Sequence, residues 1–569
     1  MTTSQEAAAA LPASSLPSWQ AALALFTATW LAGMAATLVM TGQEPAPDLP
    51  RSDSADALWM ALLHLPYAAI LVFLLIGLVE RLGYLVAGRL PAAPGTLSSQ
   101  IPKVCIQLPM FNEHAVAERI IRAAAAIDWP RDRLEVQVLD DSTDPAVRRL
   151  VDAVCSDIRE RTGLSCVAIH RTDRKGYKAG ALEAGRRQTD AEFIAIFDAD
   201  FLPSPDYLVQ IMPHFFAADG SPESDLAMVQ AQWGHLNDEQ SFLTGAQAMW
   251  VDDHHTLQKS WRSAAIGFVN FTGTAGVWRA SAIEAIGGWR SASLVEDCEL
   301  SVRALFHGYR TKFVKEIVAP AELPQSLDAY RLQQKRWTQG WVQLQRMHLA
   351  SLITKFRAPL LRKAYLGYLM CISWQWPLWF IWVTVFPFLI ANSAWFGVYG
   401  MGPAVLIYLA PPMAFALFAG LLAALETRST YDERPGNALL SRTRRFGRIV
   451  PYLVVNAGML PHHVAAFIEG LFGPMHSEFE RTPKTASVSD AAANRQMPGP
   501  AAARPKARVP YLAFETVFVA TQAAWIAYFV FQGSFPSAVW ASWLAACIIG
   551  LRIIPVITRY SQNSSLKKA

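Results

Sequence analysis

Apolar residues are grouped along the chain in three blocks. Two apolar runs, at about 19–40 and 57–80, flank a short loop carrying Glu44, Asp48, Arg51, Asp53 and Asp56. A mixed stretch covers about 100–325, and further apolar runs follow at about 364–391, 403–425, 510–531 and 537–556. Each run is close to the ~20 residues a helix needs to cross ~30 Å of hydrocarbon. The pattern predicts about six membrane spans around one water-soluble domain.

Within that domain, short apolar runs alternate with helical spacing. Val104–Leu108, Leu134–Leu139, Phe193–Phe197 and Leu226–Gln232 read as strands, and 114–127 and 145–161 as helices. Such alternation predicts a mostly parallel α/β sheet, in which ligands bind beyond the carboxyl ends of the strands.

Basic residues in short loops orient the spans. Arg81, Arg89 and Lys103 follow the second run, and Arg428, Arg434, Arg442, Arg444, Arg445 and Arg448 fill the loop after the fourth. These and the soluble block are expected on the cytosolic side, with both termini. Residues 449–473 are apolar but hold Pro451, Asn456, Pro461, His462, His463 and Glu469. Those are poor lipid-facing residues, so the segment reads as interfacial or re-entrant. Segment 485–507 reads as a flexible linker, and the first apolar run as an uncleaved anchor.

Composition sharpens this picture. Of 569 residues, 52% are apolar and only 17% charged, with 19 Trp and 29 Phe. A soluble enzyme carries about 25% charge, so lipid is part of the solvent. A net charge of +4 is too balanced for a nucleic-acid binder. Cys105, Cys155, Cys166, Cys298, Cys371 and Cys547 form no CxxC pair, which argues against a zinc site or a disulfide framework.

The acidic motifs fall beyond the ends of strands, and a further motif lies in a helix-like stretch before the third run. Asp140-Asp141-Ser142-Thr143-Asp144 follows the second strand. Its carboxylates can accept hydrogen bonds from a nucleoside, or the segment can simply start a helix, with Asp144 as cap before Pro145. Asp198-Ala199-Asp200 follows the third strand and offers two hard oxygen ligands for Mg²⁺ or Mn²⁺. Glu296 and Asp297, in Val295–Glu299, can supply a general base for an attacking hydroxyl, or can be acids favoured by a helix N-terminus. Gln333-Gln334-Lys335-Arg336-Trp337 offers a guanidinium for phosphate and a flat ring for a sugar, or an interfacial anchor. Lys178 can contact phosphate or sit in a solvated turn, and Thr272–Gly276 is a small-residue loop that a ligand can approach closely.

In order, the chain reads QLPMFNE, DDSTD, KAGAL, DAD, TGTAG, VEDCEL and QQKRW. This resembles the D, DxD, D, QxxRW signature of processive family 2 glycosyltransferases, closest to the plant cellulose-synthase-like A and C branches. The likeness is close over about 100–340 and looser over the membrane layout. Phe479–Lys484 is similar to the FxVTxK gating loop of cellulose synthases, with Arg481 where that pattern has Val.

The resemblance implies a GT-A-type, Rossmann-like α/β catalytic domain inserted between transmembrane helices. Its parts would be an N-terminal membrane region (1–95), a cytosolic catalytic domain (96–325), interfacial helices with QxxRW (326–363) and a C-terminal membrane region (364–569). The last would include the interfacial segment 449–473 and a gating loop at 477–500. The resemblance further implies that Glu113 and Asp140 or Asp141 hold the nucleoside, with Lys178 at the phosphates. Asp198 and Asp200 would hold Mg²⁺ or Mn²⁺ and the diphosphate, Asp297 would be the base, and Arg336 would assist the leaving nucleotide. Trp337 would stack on the acceptor, with Thr274, Gln333 and Glu296 beside it, while Thr482 and Lys484 close over the nucleotide.

The implied activity is inverting synthesis of a β-linked glucan or mannan from UDP-glucose or GDP-mannose, leaning to UDP-glucose, with export across the membrane. A growing glycan would be the acceptor. The setting would be a bacterial inner membrane or a Golgi-type membrane, with room for an accessory subunit. A cyclic-di-GMP-binding pattern is not evident. Two alternatives remain: transfer of one sugar to a lipid, and a transporter or scaffold with a vestigial domain.

Overall fold

The computed structural model describes residues 19–42, 53–97, 100–391, 408, 410–427, 438–475 and 509–566. Seven strands form one sheet: β1 (Val104–Met110), β2 (Leu134–Asp140), β3 (Ser165–His170), β4 (Phe193–Ile196), β5 (Leu226–His235), β6 (Gly276–Arg279) and β7 (Arg310–Ala321). Their order is β3-β2-β1-β4-β6-β5-β7. Only β6 runs against its neighbours, antiparallel to both β4 and β5. The mostly parallel α/β sheet expected from the hydropathy pattern is therefore present.

β1, β2 and β4 are almost wholly buried, which is why apolar residues predominate in them. Helices α3 (Ala117–Ala125), α4 (Pro145–Thr162) and α6 (Tyr207–Ile211) pack with them in one apolar cluster. Helices α5 (Tyr177–Arg186), α8 (Ala280–Ala285) and α9 (Glu296–Phe306) bury their apolar side chains in a second. Asp144 does cap α4, accepting from Ala146 N at 2.7 Å, with Pro145 in the first turn and Gly163 left-handed at its end.

Two long helices precede the sheet, α1 (Trp19–Gly42) and α2 (Asp53–Gly83). After it come α7 (Phe242–Asp252, before β6), α10 (Leu327–Thr354), α11 (Leu360–Met370), α12 (Gln375–Ala391), α13 (Ala410–Glu426), α14 (Ala438–Gly447), α15 (Ile449–Phe472), α16 (Val509–Phe531) and α17 (Phe535–Leu566). Among the described residues, three helices are long and apolar enough to cross a membrane: His64–Gly88, Val509–Phe531 and Phe535–Ile553. With the bent pair α11–α12 taken as one span the number is four, against the six expected, and part of the run at 403–425 lies outside the described residues. The run at 364–391 is broken between α11 and α12 by a 55° bend, and α13 has only 17 residues.

The apolar segment 449–473 is one continuous helix, α15, packed against α10, α17, α7 and α1. Its polar residues face protein: Thr338 Oγ1 meets His463 Nδ1 at 2.9 Å, and Tyr511 donates to Glu469 at 2.6 Å. Charge also enters the apolar helices themselves. Glu515 in α16 is buried against Arg331 of α10 at 2.7 Å and Arg552 of α17 at 2.9 Å.

Buried ion pairs join α2 to the catalytic domain. Glu80 accepts from Arg262 at 2.7 and 2.9 Å, and Asp253 accepts from both arms of the Arg81 guanidinium. Asp253 and Arg262 each open a π-helical segment, Asp253–Lys259 and Arg262–Ile266. The wider turn places them against α2.

Candidate active site

The carboxyl ends of β1, β2 and β4 open on a cavity of about 1320 Å³. Small-molecule sites measure roughly 300–1,000 Å³, so this one has room for more than a nucleotide sugar. Its lining runs from Glu113 and Asp141, past Asp297, to Trp382, Trp540 and Trp543 among the apolar helices.

The loop after β1 is tied to the one after β2 by Asn112, which holds a φ of +53°. Its N–H donates to Ser142 Oγ at 2.7 Å, and its side-chain oxygen accepts from the N–H groups of Thr143 and Asp144 at 3.0 Å. Short polar side chains tolerate this left-handed backbone best. The turn sends Glu113, which is buried, to the cavity wall.

The two adjacent carboxylates separate in role. Asp141 lines the cavity and is gripped by both arms of Arg171. Asp140 does not line it. Its Oδ1 accepts from Ser142 N at 3.0 Å and its Oδ2 lies 3.3 Å from His170 Nδ1. Of the expected pair, Asp140 is thus directed into the turn and only Asp141 toward the cavity.

Lys178 donates to Asp198 Oδ1 at 2.6 Å and to the Gly273 carbonyl at 2.9 Å. This places the lysine, the acidic motif and the small-residue loop around one point. The loop is held from behind: Thr272 N donates to Gln230 Oε1, and Gln230 Nε2 donates to the Thr274 and Ala275 carbonyls. The Thr274 hydroxyl accepts from Asp198 N at 2.9 Å. Asp200 lines the same cavity. Among the described residues no three His, Cys, Asp or Glu side chains converge as a metal-binding group. Two carboxylates beside room for a diphosphate nonetheless suit magnesium or manganese, which take one or two carboxylates and complete their shell from water and phosphate.

Glu296 and Asp297 open α9 and reach the cavity. Asp297 Oδ1 accepts from Cys298 N at 2.8 Å, and the Asp297 carbonyl accepts from Ser301 Oγ, which in turn accepts from Phe271 N. Helix and loop are therefore fixed to each other. Burial raises both carboxyl groups from their ordinary values, Glu296 to about 7, with the Asp297 charge adding to that rise. Lys178 and Arg336 act against the shift on both groups.

Gln333, Arg336 and Trp337 line the cavity from α10. Trp337 stacks with Trp250 of α7, centroids 5.6 Å apart and planes 21° apart, and Trp250 stacks in turn with His254 at 5.7 Å and 20°. Trp233 of β5 lies 6.5 Å from Trp337. The sequence motifs miss Trp233, Trp250 and His254. Nothing in the pattern separates a cavity tryptophan from a core one, although a pair of histidines on an apolar helix was a usable signal. Arg174, also unassigned from sequence, stands 3.4 Å over the Phe111 ring, and both line the cavity. Thr482 and Lys484 lie outside the described residues.

Residues 193–424 match the model described as Glycosyl transferase family group 2, and residues 105–221 that described as Glycosyl transferase family 2. Over 360 residues the chain is 38% identical to probable glucomannan 4-beta-mannosyltransferase 2 of Oryza sativa subsp. japonica, covering 63% of this chain and 58% of that one. Over 274 residues it is 41% identical to glucomannan 4-beta-mannosyltransferase 1 of Cyamopsis tetragonoloba, covering 48% and 51%. The chain thus spans about half the length of the curated relatives it matches. A solved mannosyltransferase from Pyrobaculum calidifontis, in complex with GDP-Man and Mn²⁺, superposes with a TM-score of 0.44 at 19% identity, covering 73% of this chain and 98% of that one.

Proposed function

We propose, from the premise that this chain is a cellulose-synthase-like member of glycosyltransferase family 2, that it builds a β-1,4-linked mannan-type polysaccharide at a membrane by inverting transfer from GDP-mannose. The observation that carries this reading is the single cavity joining the carboxylate cluster to a row of tryptophans. A donor-only pocket would end at the carboxylates. The relatives named as 4-beta-mannosyltransferases favour mannose over the UDP-glucose that the sequence motifs lean toward.

In this reading Glu113 and Asp141 face the nucleoside and Lys178 faces the diphosphate. Asp198 and Asp200 would hold Mg²⁺ or Mn²⁺, which when bound neutralises charge on the leaving diphosphate. Asp297 takes the proton from the acceptor hydroxyl. That oxygen bonds to the anomeric carbon as the carbon–phosphate-oxygen bond breaks, and the nucleoside diphosphate leaves beside Arg336. One displacement at an α-linked donor gives a β-linked product. The acceptor sugar lies on Trp337, near Thr274, Gln333 and Glu296. The three apolar helices and the bent α11–α12 pair embed the chain in the bilayer, with the catalytic domain on the cytosolic side and the product leaving along the tryptophan row.

The test is nucleotide release by the full chain in nanodiscs with Mg²⁺ or Mn²⁺, offering GDP-mannose and UDP-glucose separately. The reading expects a β-mannanase-sensitive polymer from GDP-mannose that is absent with chelator or in Asp297→Asn. One sugar attached to extracted lipid would replace it with glycolipid synthesis, and a glucan would correct the donor.

A further inference from the structure

Behind the tryptophans lies a chain of hydrogen bonds whose polarity can be read without ambiguity. Asp253 is ion-paired with Arg81, so its carboxylate only accepts. It accepts from Gln258 Nε2 at 2.9 Å, which fixes that amide's nitrogen on the aspartate side. The amide oxygen then faces Arg262 Nη2, which can only donate and does so at 2.9 Å. The same oxygen lies 3.1 Å from His254 Nδ1. A lone pair on Nδ1 would repel it, so Nδ1 must carry the hydrogen and donate.

The other ring nitrogen is thereby left with its lone pair. Burial, with the Arg262 and Lys259 cations nearby, holds the His254 imidazolium well below its ordinary pKa and keeps the ring neutral. His254 is half-buried, lines the cavity and forms the third ring of the Trp337–Trp250–His254 ledge. Sugars bind where an apolar ring face lies beside a polar group, because their C–H and O–H groups need different partners.

We infer that His254 reads the acceptor glycan, its Nε2 accepting a hydrogen bond from a hydroxyl of a sugar that rests on the Trp250–Trp337 ledge. The inference rests on the polymer reading for the identity of the glycan. Gln258 is its positioning residue, holding the tautomer through Asp253 and Arg262. The ion pairs to α2 thus set the hydrogen-bonding character of an acceptor-site side chain.

The test uses the full chain in nanodiscs, with β-1,4-mannotetraose and cellotetraose as probes and tryptophan fluorescence as the binding readout. His254→Phe keeps the ring ledge but removes the acceptor atom. A neutral hydrogen bond is worth roughly a factor of 3 to 10, so this variant binds tetrasaccharide more weakly by that factor, with donor KM unchanged. His254→Gln, whose amide oxygen reaches the Nε2 position, stays within about 2-fold of wild type. Should the Phe variant not fold, Gln258→Met carries the test, because it releases the tautomer without altering the ledge; acceptor KM then rises while donor KM stays. Equal tetrasaccharide binding by His254→Phe, or an equal loss of donor affinity, overturns the inference. Nucleotide-sugar turnover by a wild-type protein that binds neither tetrasaccharide also overturns it, and leaves the synthesis reading standing.

Discussion

Two glycines share a backbone conformation but differ in what surrounds them. Gly273, in the loop before β6, has φ of +81°, and a Cβ built on it would stand 3.0 Å from Asp297 Oδ2 and 3.4 Å from Lys178 Nζ. Gly163, at the end of α4, has φ of +69° and nothing within 4 Å. Alanine in the left-handed region costs about 1–2 kcal/mol at either position. Only at 273 must a carboxylate, that of Asp297, give way, by a few tenths of an ångström. A displacement of about 1 Å in a reacting group costs roughly 10²-fold in rate, so a third of that costs roughly 5-fold. Gly273→Ala and Gly163→Ala are therefore expected to lose similar thermal stability, while kcat at saturating donor falls roughly 5-fold in the first only. Equal rates in the two variants, or a rate loss that follows stability in both, would refute the idea that this glycine exists to let Asp297 approach the loop.

If Asp297 is the base proposed, acidification should remove activity at a higher pH than an ordinary aspartate would set, because burial raises its pKa; Asp297→Asn should leave a flat residual profile. For stability the sign is opposite: Glu296 titrates at about 7 in the fold against about 4.3 when free. Its stabilising contribution is complete at low pH and is lost as pH rises through about 7, and Glu296→Gln should flatten that part of the thermal-unfolding profile. Arg262→Met should cost about 3–5 kcal/mol by stranding Glu80, with most of it recovered in the Glu80→Met/Arg262→Met double variant in thermal-shift assays. Asp141→Asn should raise donor KM by about 10-fold or more, whereas Asp140→Asn, whose side chain faces the turn, should leave it nearly unchanged.

The strands that could be read from sequence are those buried on both faces, since β1, β2, β4 and β5 are dominated by apolar residues. β3 lies at the sheet edge with half-exposed residues, and its apolar stretch Cys166–Ile169 is only four residues long between Ser165 and His170. β6 has four residues and follows a small-residue loop, while β7 is interrupted by Lys315 and Glu316 beside a register shift. The acidic motifs were legible because clustered carboxylates at strand and helix ends stand out from an apolar background. The aromatic ledge was not, because its partners come from β5, α7 and α10 and meet only in the fold. Hydropathy also could not show the bend between α11 and α12, where Cys371 to Trp374 change helix direction without a charged residue.

The pairing of α2 with the domain that follows it bears on how this protein can be handled in the laboratory. Cutting the chain near residue 95 looks like a route to a soluble catalytic fragment. It would remove Glu80 and Arg81 and leave Arg262 and Asp253 as buried charges without counter-ions. The second apolar helix is, in effect, the last piece of the catalytic domain's interior. A fragment that omits it should aggregate or lack turnover even with every motif intact, and a minimal working unit has to begin before Asp53.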